Sequence, residues 1–196
     1  MSKKTPVNSG KKMDEILLRS DQNEIAILTL NSPKNLNALS ETMLEALKSN
    51  LEKIGRSRKI KAVIIKAAGR AFCPGHDLKE MQEKRDLYKD GGRAYFEKLL
   101  SKCTYVMKLI RELPQPVIAE VQGVAAAAGC QLVATCDIAV ASEEASFGVN
   151  GVDIGLFCST PMVALSRNIT RKKAFEMLTT GDFLDPFQAE KLGLIN

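Results

Sequence analysis

Hydrophobic residues follow two alternating patterns along the chain. Short runs rich in β-branched residues predict strands, and they read "EILLRS", "EIAILTL", "KAVIIKA", "PVIAEVQG" and "DIAVAS". Between them, apolar residues recur every three or four positions, as on one face of a helix. Such helices are predicted from a capping Ser40 to about Gly55, from Arg93 to about Leu113, in "STPMVALSR" and in "DPFQAEKLG", where Asp185 and Gln188 form a capping box. This alternation predicts an α/β fold, and "KAVIIKA" is expected to be covered on both faces.

Two segments fit neither pattern. Residues 1–13 are basic and predict a disordered tail before one core domain at 14–196, and the charged residues 80–92 are predicted to be mobile. No apolar run approaches the ~20 residues that span a membrane, and the N-terminus lacks the apolar region of a secretory signal. It is also poor in arginine, unlike a mitochondrial transit peptide. These features predict a cytoplasmic protein.

Composition narrows the candidate functions. The chain has 196 residues, with five scattered cysteines and a single histidine. Without a C-x-x-C pair, these residues are too few at metal spacing for a zinc site. The scattered cysteines are typical of reduced thiols. A net charge of +5 suits an anionic partner. However, the basic residues are dispersed and tryptophan is absent, which argues against nucleic acid. The mildly basic segment 48–61 is predicted to be a solvated helix face rather than an RNA site.

Two glycine-containing loops carry candidate chemistry. "FCPGHDL" places His76 and Asp77 at a helix start, and Gly123 to Gly129 lie between a strand and a helix with side chains no larger than a methyl apart from Val124. Backbone N–H groups are unpaired at helix N-termini and bind anionic oxygen. Two such ends could converge as an oxyanion hole. Alternatively, the small residues serve close packing, Asp77 is an N-cap, and Cys130 and Cys136 fill the core.

The order of these segments resembles the crotonase (enoyl-CoA hydratase/isomerase) superfamily from about residue 14 onward. "NSPKNLNALS" is similar to the family's N-R-P-x-x-x-N-A-L loop, and "RAFCPGHDLKEM" to its F-x-A-G-x-D-L segment. "PVIAEVQGVAAAAGCQLVATCD" is similar to its P-V-I-A segment with the G-G-G-x-E-L motif. The resemblance implies a ββα spiral core, usually trimeric or hexameric. It also implies C-terminal helices that complete the acyl pocket, which have no counterpart here, so the core would be truncated at its C-terminus.

The resemblance also implies a site. The substrate would be an acyl-CoA thioester, with coenzyme A part of the substrate and no other cofactor or metal. Its thioester oxygen would accept hydrogen bonds from the backbone N–H groups of His76 and Ala128. Residues implied to bind the substrate, mostly along the coenzyme A channel, are Lys34, Leu36, Ala38, Pro74, Gly75, Asp77 and Leu78.

The chain departs from the family at its acid–base pair. The first hydratase glutamate aligns with Gln131 and the second with Gly151, while Asp153 is expected to be a turn aspartate. Hydration needs carboxylates near the acyl chain. The site therefore predicts weak or absent hydration of crotonyl-CoA. Decarboxylation, thioester hydrolysis and non-catalytic binding of CoA esters remain as alternatives to a hydratase-like lyase.

Overall fold

The computed structural model describes residues 16–196, so the predicted tail and the first residues of the predicted domain lie outside the described part of the chain. A five-stranded sheet has the order β1-β2-β3-β5-β7. β1 and β2 form an antiparallel hairpin whose turn residues, Asn23 and Glu24, both have positive φ, and the other neighbours are parallel. The strands are β1 Leu17–Gln22, β2 Ile25–Leu30, β3 Ala62–Ala67, β5 Val117–Val121 and β7 Ile138–Ala141.

A second sheet contains three short parallel strands in the order β4-β6-β8. They are β4 Ala71–Cys73, β6 Val124–Ala126 and β8 Ser146–Gly148. Each of the pairs β3–β4, β5–β6 and β7–β8 supplies one strand to the large sheet and the next to the small one. This repeat confirms the α/β class and the ββα spiral core.

Seven α-helices lie in the described part of the chain. They are α1 Glu41–Gly55, α2 Leu78–Leu87, α3 Arg93–Glu112, α4 Ala128–Thr135, α5 Ser159–Asn168, α6 Arg171–Thr180 and α7 Pro186–Leu192. The Ser40 cap of α1 and the Asp185–Gln188 capping box of α7 form as predicted. None of the helices within residues 16–196 combines the length and the apolar character needed to cross a membrane.

The prediction of a mobile segment at residues 80–92 is wrong for its first half, which is helix α2. The sequence predicted the start of this helix at Asp77 but not its extent, because the helix contains no fully buried residue and therefore shows little hydrophobic periodicity. Asp77 caps it by accepting hydrogen bonds from Lys79 N and Glu80 N, and Glu80 accepts one from Glu41 N at 2.9 Å. A hydrogen bond to the start of α1 and the packing of Met81 against the core therefore both hold α2 in place.

Strand β3 also differs from its prediction. Its burial alternates, with Val63 and Ile65 fully buried and the other four residues of the strand half-buried. The buried face packs into a single core that includes α1 and α3, for example through Leu47 and Val106. The other face of β3 is covered only in part.

Candidate active site

The three parallel strands of the small sheet end at one edge. Ala71 pairs with Val124, Cys73 with Ala125, and Ala126 with Gly148. Because parallel strands point the same way, their carboxyl ends meet at that edge, where ligands of α/β proteins commonly bind. The loops 74–76, 127–128 and 149–151 therefore start side by side, although they are far apart in sequence.

Two backbone donors lie close together where the first two loops meet. Gly75 has φ +107°, and a Cβ built on it would lie 3.1 Å from Ala127 Cβ and 3.3 Å from Ala128 N. The chain at 75–76 thus passes directly beside the N-terminus of α4. Within residues 16–196, neither the His76 N–H nor the Ala128 N–H donates a hydrogen bond. This edge can therefore supply unpaired donors to an anionic oxygen.

Gly129 fixes the depth at which α4 begins. A Cβ on this residue would lie only 2.0 Å from Cys73 O, so the helix backbone rests against β4 with no room for a side chain. Ala127 N in turn donates to Gly148 O at 2.9 Å, which ties the same turn to β8. Small residues are thus required for close packing, and that packing fixes the position of the N-terminus of α4.

Ala127 adopts a backbone conformation that alanine rarely occupies, with φ 47° and ψ −119°. Such conformations cost about 1–3 kcal/mol for a residue with a Cβ. Ala127→Gly removes that strain but adds freedom to the unfolded chain, which offsets about 0.4–1 kcal/mol. We expect the variant to raise the free energy of unfolding by about 1 kcal/mol, measured by urea denaturation. A variant less stable than the parent would show that the turn is not strained.

His76 is held in place by a hydrogen bond from its side chain and by a backbone hydrogen bond of the preceding residue. Its Nδ1 lies 3.3 Å from Leu39 O, and Leu39 N donates to Gly75 O at 2.8 Å. Burial lowers the pKa of His76 below its ordinary value, although the Leu39 carbonyl works in the opposite direction. The imidazole is therefore neutral at pH 7. Since a carbonyl only accepts, Nδ1 carries the proton and Nε2 remains an acceptor.

The loop at 32–40 is held to the same edge by Asn37, which sequence reasoning did not single out. Asn37 is fully buried; its Nδ2 donates to Ala68 O and Ala71 O at 2.8 Å each, and its Oδ1 accepts from Ser32 N at 2.8 Å. The feature of the sequence that could have indicated this role is an asparagine placed directly before Ala-Leu in a turn-rich loop. Its amide positions Leu39 beside Gly75.

The residues predicted to bind the substrate lie in the loop at 32–40 and in the segment 74–78, which ends at the first residue of α2. Lys34 and Leu78 are exposed, Leu36 and Pro74 are half-buried, and Ala38 is buried. Asp77 Oδ1 accepts two hydrogen bonds as the N-cap of α2. The structure thus brings Gly75 and the loop of Ala38 together through Leu39, and it commits one carboxylate oxygen of Asp77 to capping.

Gln131 lies one turn beyond Ala128 on α4. The residue is 8% exposed, and its Oε1 is buried with no hydrogen-bond partner in the described part of the chain. It lines a cavity of about 730 Å³ between α3, α4 and α5, in which Asp137 is the sole acidic lining residue among those described. Asp137 Oδ2 accepts from Val117 N at 2.7 Å. Among the described residues, the carboxylate on this wall is therefore that of Asp137, and one of its two oxygens is engaged by a backbone N–H.

Gly151 leaves no space for the second carboxylate. A Cβ there would lie 2.3 Å from Leu156 O and 2.8 Å from Cys158 Sγ. Asp153 is exposed and accepts a 3.3 Å hydrogen bond from Asn150, which is consistent with a turn aspartate. A side chain could be added at 151 only if the loop moved.

The thiols near the site are unreactive. Burial raises the pKa of Cys73 and that of Cys130 to about 12, so both stay protonated at neutral pH. Across residues 16–196, no group of three or more His, Cys, Asp or Glu side chains could hold a metal ion.

Comparison with known proteins identifies the family. Residues 20–196 match the family model described as enoyl-CoA hydratase/isomerase. The chain belongs to this family, the crotonase superfamily, which confirms the resemblance seen in the sequence.

Among its relatives are the enoyl-CoA hydratase domain-containing protein 3 sequences. The mouse protein is 47% identical over 89% of this chain, and the human protein 49% identical over 86%. The chain spans 56% of the length of the mouse protein and 54% of the human one. The crystal structure of human enoyl-CoA hydratase domain-containing protein 3 superposes on 92% of this chain, and on 69% of its own, with a TM-score of 0.86 at 45% identity. A Mycobacterium smegmatis enoyl-CoA hydratase structure gives 0.87 at 52% identity over 92% of this chain and 68% of its own.

The expectation of a cytoplasmic protein is contradicted by these relatives. The mouse, rat, human and zebrafish proteins are all named as mitochondrial. The scattered, reduced cysteines on which the expectation partly rested do not discriminate between these compartments.

Proposed function

We propose that this protein binds acyl-CoA thioesters and stabilises their enolates between the His76 and Ala128 backbone N–H groups. The observation that carries the proposal is the pair of unpaired donors brought together by Gly75 and the start of α4. Fixed donors aimed at a developing oxyanion lower the reaction barrier substantially. The loop containing Lys34, Leu36 and Ala38, with Pro74 and Leu78, would contact coenzyme A.

The reaction that suits this site is one that needs no carboxylate base. In decarboxylation of a malonyl-type thioester, the bond between the α-carbon and the carboxylate breaks and CO₂ leaves. The electron pair forms the enolate, whose oxygen the two N–H groups stabilise. The α-carbon then takes a proton from water. Gln131, with its unpartnered Oε1, would orient a water or the acyl group.

An acyl-CoA panel tests this proposal. The purified protein is incubated with crotonyl-, malonyl-, methylmalonyl- and butyryl-CoA, and products are followed by mass. We expect no hydration of crotonyl-CoA at the ~1–10³ s⁻¹ typical of kcat. We expect loss of 44 mass units from at least one malonyl-type ester.

Other outcomes of the panel are equally informative. Release of free coenzyme A would assign thioester hydrolysis to the same donors. Binding of the esters without turnover would assign a non-catalytic CoA-ester-binding role. Failure to bind any of the four esters would refute the proposal. Because members of this family are typically oligomeric, the assay should be run alongside a mass measurement of the assembly, for which we propose a trimer.

A further inference from the structure

The cavity beside Gln131 is built from three helices. Each helix contributes residues at helical spacing: positions 104, 107, 108 and 111 of α3, positions 131, 134 and 135 of α4, and positions 160, 163, 164 and 167 of α5. Asn168 fixes the α5 wall, since its Nδ2 donates to Ala134 O on α4 and to Ala164 O at 2.8 Å each. The cavity is thus a defined groove and not a gap between independent segments.

The charge of this groove is positive. Lys108, Arg111 and Arg167 line it, and among the described residues none of the three forms a salt bridge. Opposing them is Asp137, whose carboxylate accepts a hydrogen bond from the Val117 N–H. Three cations against one engaged carboxylate attract an anion, because the charge is not neutralised from within.

Helix α4 connects this groove to the proposed oxyanion site. Ala128, Gln131 and Thr135 follow one another at i, i+3 and i+7 and therefore share one side of the helix. At 1.5 Å per residue, position 135 lies about 10 Å along the axis from the Ala128 level. Thr135 and Gln131 line the groove, while Ala128 N begins the helix. A substrate held at the N-terminus would extend its acyl chain along α4 past Gln131 toward the cations.

We propose that the acyl group carries a second carboxylate at its far end, and that Arg111 and Arg167, with Lys108, bind it. This inference rests on the proposed function, because it takes the thioester to lie at His76 and Ala128. The substrate class is therefore acyl-CoA thioesters whose acyl chain ends in a carboxylate, a group distinct from the α-carboxylate that a malonyl-type ester loses. Arginine suits the carboxylate because its guanidinium group can donate two parallel hydrogen bonds.

Matched ligands test the inference on the parent protein. Affinities are measured by calorimetry for glutaryl-CoA against pentanoyl-CoA and for adipoyl-CoA against hexanoyl-CoA, so that each pair differs only by the terminal carboxylate. We expect the carboxylated member of at least one pair to bind about tenfold more tightly or better, as charge-assisted hydrogen bonds allow. Equal affinity within both pairs overturns the inference but leaves the proposed function intact.

Charge-removing variants locate the interaction. Arg111→Gln and Arg167→Gln should each reduce the preference for the carboxylated ester at least threefold while leaving hexanoyl-CoA affinity within about twofold. The matched control is Arg171→Gln, at an exposed position on α6 outside the groove, which should change neither affinity. Equal loss in the control, or equal loss for both members of a pair, contradicts the assignment. If none of the four esters binds the parent protein, it is the proposed function that fails.

Discussion

Gly129→Ala is expected to lower the free energy of unfolding by about 2–3 kcal/mol, as overpacking of a tight contact does. The new methyl group would lie 2.0 Å from Cys73 O, and neither backbone can yield without moving a strand or a helix. The N-terminus of α4 must shift away from β4, and Ala128 N shifts with it. Turnover should fall about 10²-fold, which is the usual effect of losing one oxyanion donor. Urea denaturation and the acyl-CoA assay measure the two effects.

Gly55→Ala is the matched control for that change. Gly55 is the last residue of α1, and a Cβ there would meet only the end of the Leu113 side chain, at 3.1 Å. A flexible side chain can move by a few tenths of an ångström, and alanine favours the helix. We expect stability within about 1 kcal/mol of the parent and unchanged turnover. Comparable damage in both variants would show that Gly129 has no special role.

Gly151→Glu, combined with Gln131→Glu, is expected not to produce a hydratase. The change at 151 forces a side chain into a position where even its Cβ would lie 2.3 Å from Leu156 O. It should cost about 3 kcal/mol or more of stability, because it adds both overpacking and a carboxylate without partners. Crotonyl-CoA hydration and urea denaturation are the measurements.

Two single variants separate the causes. Gln131→Glu is nearly isosteric and should fold, with the pKa of the new carboxyl raised by burial. Gly151→Ala should already show much of the instability, because the clash begins at Cβ. If the double variant hydrated crotonyl-CoA at 1 s⁻¹ or faster, the loop at 151–158 would have room that the structure does not display.

Much of the fold could be predicted from the sequence because its elements obey local rules. Helix α1 has a capping serine and an apolar face containing Leu47 and Leu51, and α7 has a complete capping box. The hairpin of β1 and β2 is marked by alternating apolar residues on both sides of a polar turn. These signals arise between residues close in sequence.

Most of the elements that were not predicted lack such signals; helix α6 is the exception, since Ala174, Met177 and Leu178 lie at helical spacing on its buried face. Strands β4 and β8 have three residues each, too few to show a period, and they exist because β6 lies between them. The start of helix α2 was predicted but its length was not, because it has no fully buried apolar residue and one of its contacts is Glu80 with the start of α1. Strands β4 and β8 and the full length of α2 depend on neighbours far away in sequence, so no local pattern predicts them.

The candidate site likewise combines features that the local sequence predicts with features that depend on the folded structure. The sequence indicated that loops 75–76 and 127–128 end in free N–H groups, but their proximity depends on the pairing of β4 with β6. The anchoring by Asn37 and the lack of space at Gly151 depend on backbone atoms 31 and five residues away, respectively. Comparison with the family's motifs identifies which residue replaces a glutamate. The three-dimensional structure shows whether a glutamate side chain would fit at that position.

Under the proposed function, the small sheet places the residues that bind the thioester and the residues that determine its reaction in different loops. The donor loops follow β4 and β6, while the loop containing Gly151 follows β8 and is fixed by its own contacts with residues 156–158. Substitutions in the loop that contains Gly151 can therefore accumulate without changing the two loops proposed to bind the carbonyl oxygen. If the proposed function holds, a scaffold of this kind can change its reaction through the third loop while it continues to bind coenzyme A esters.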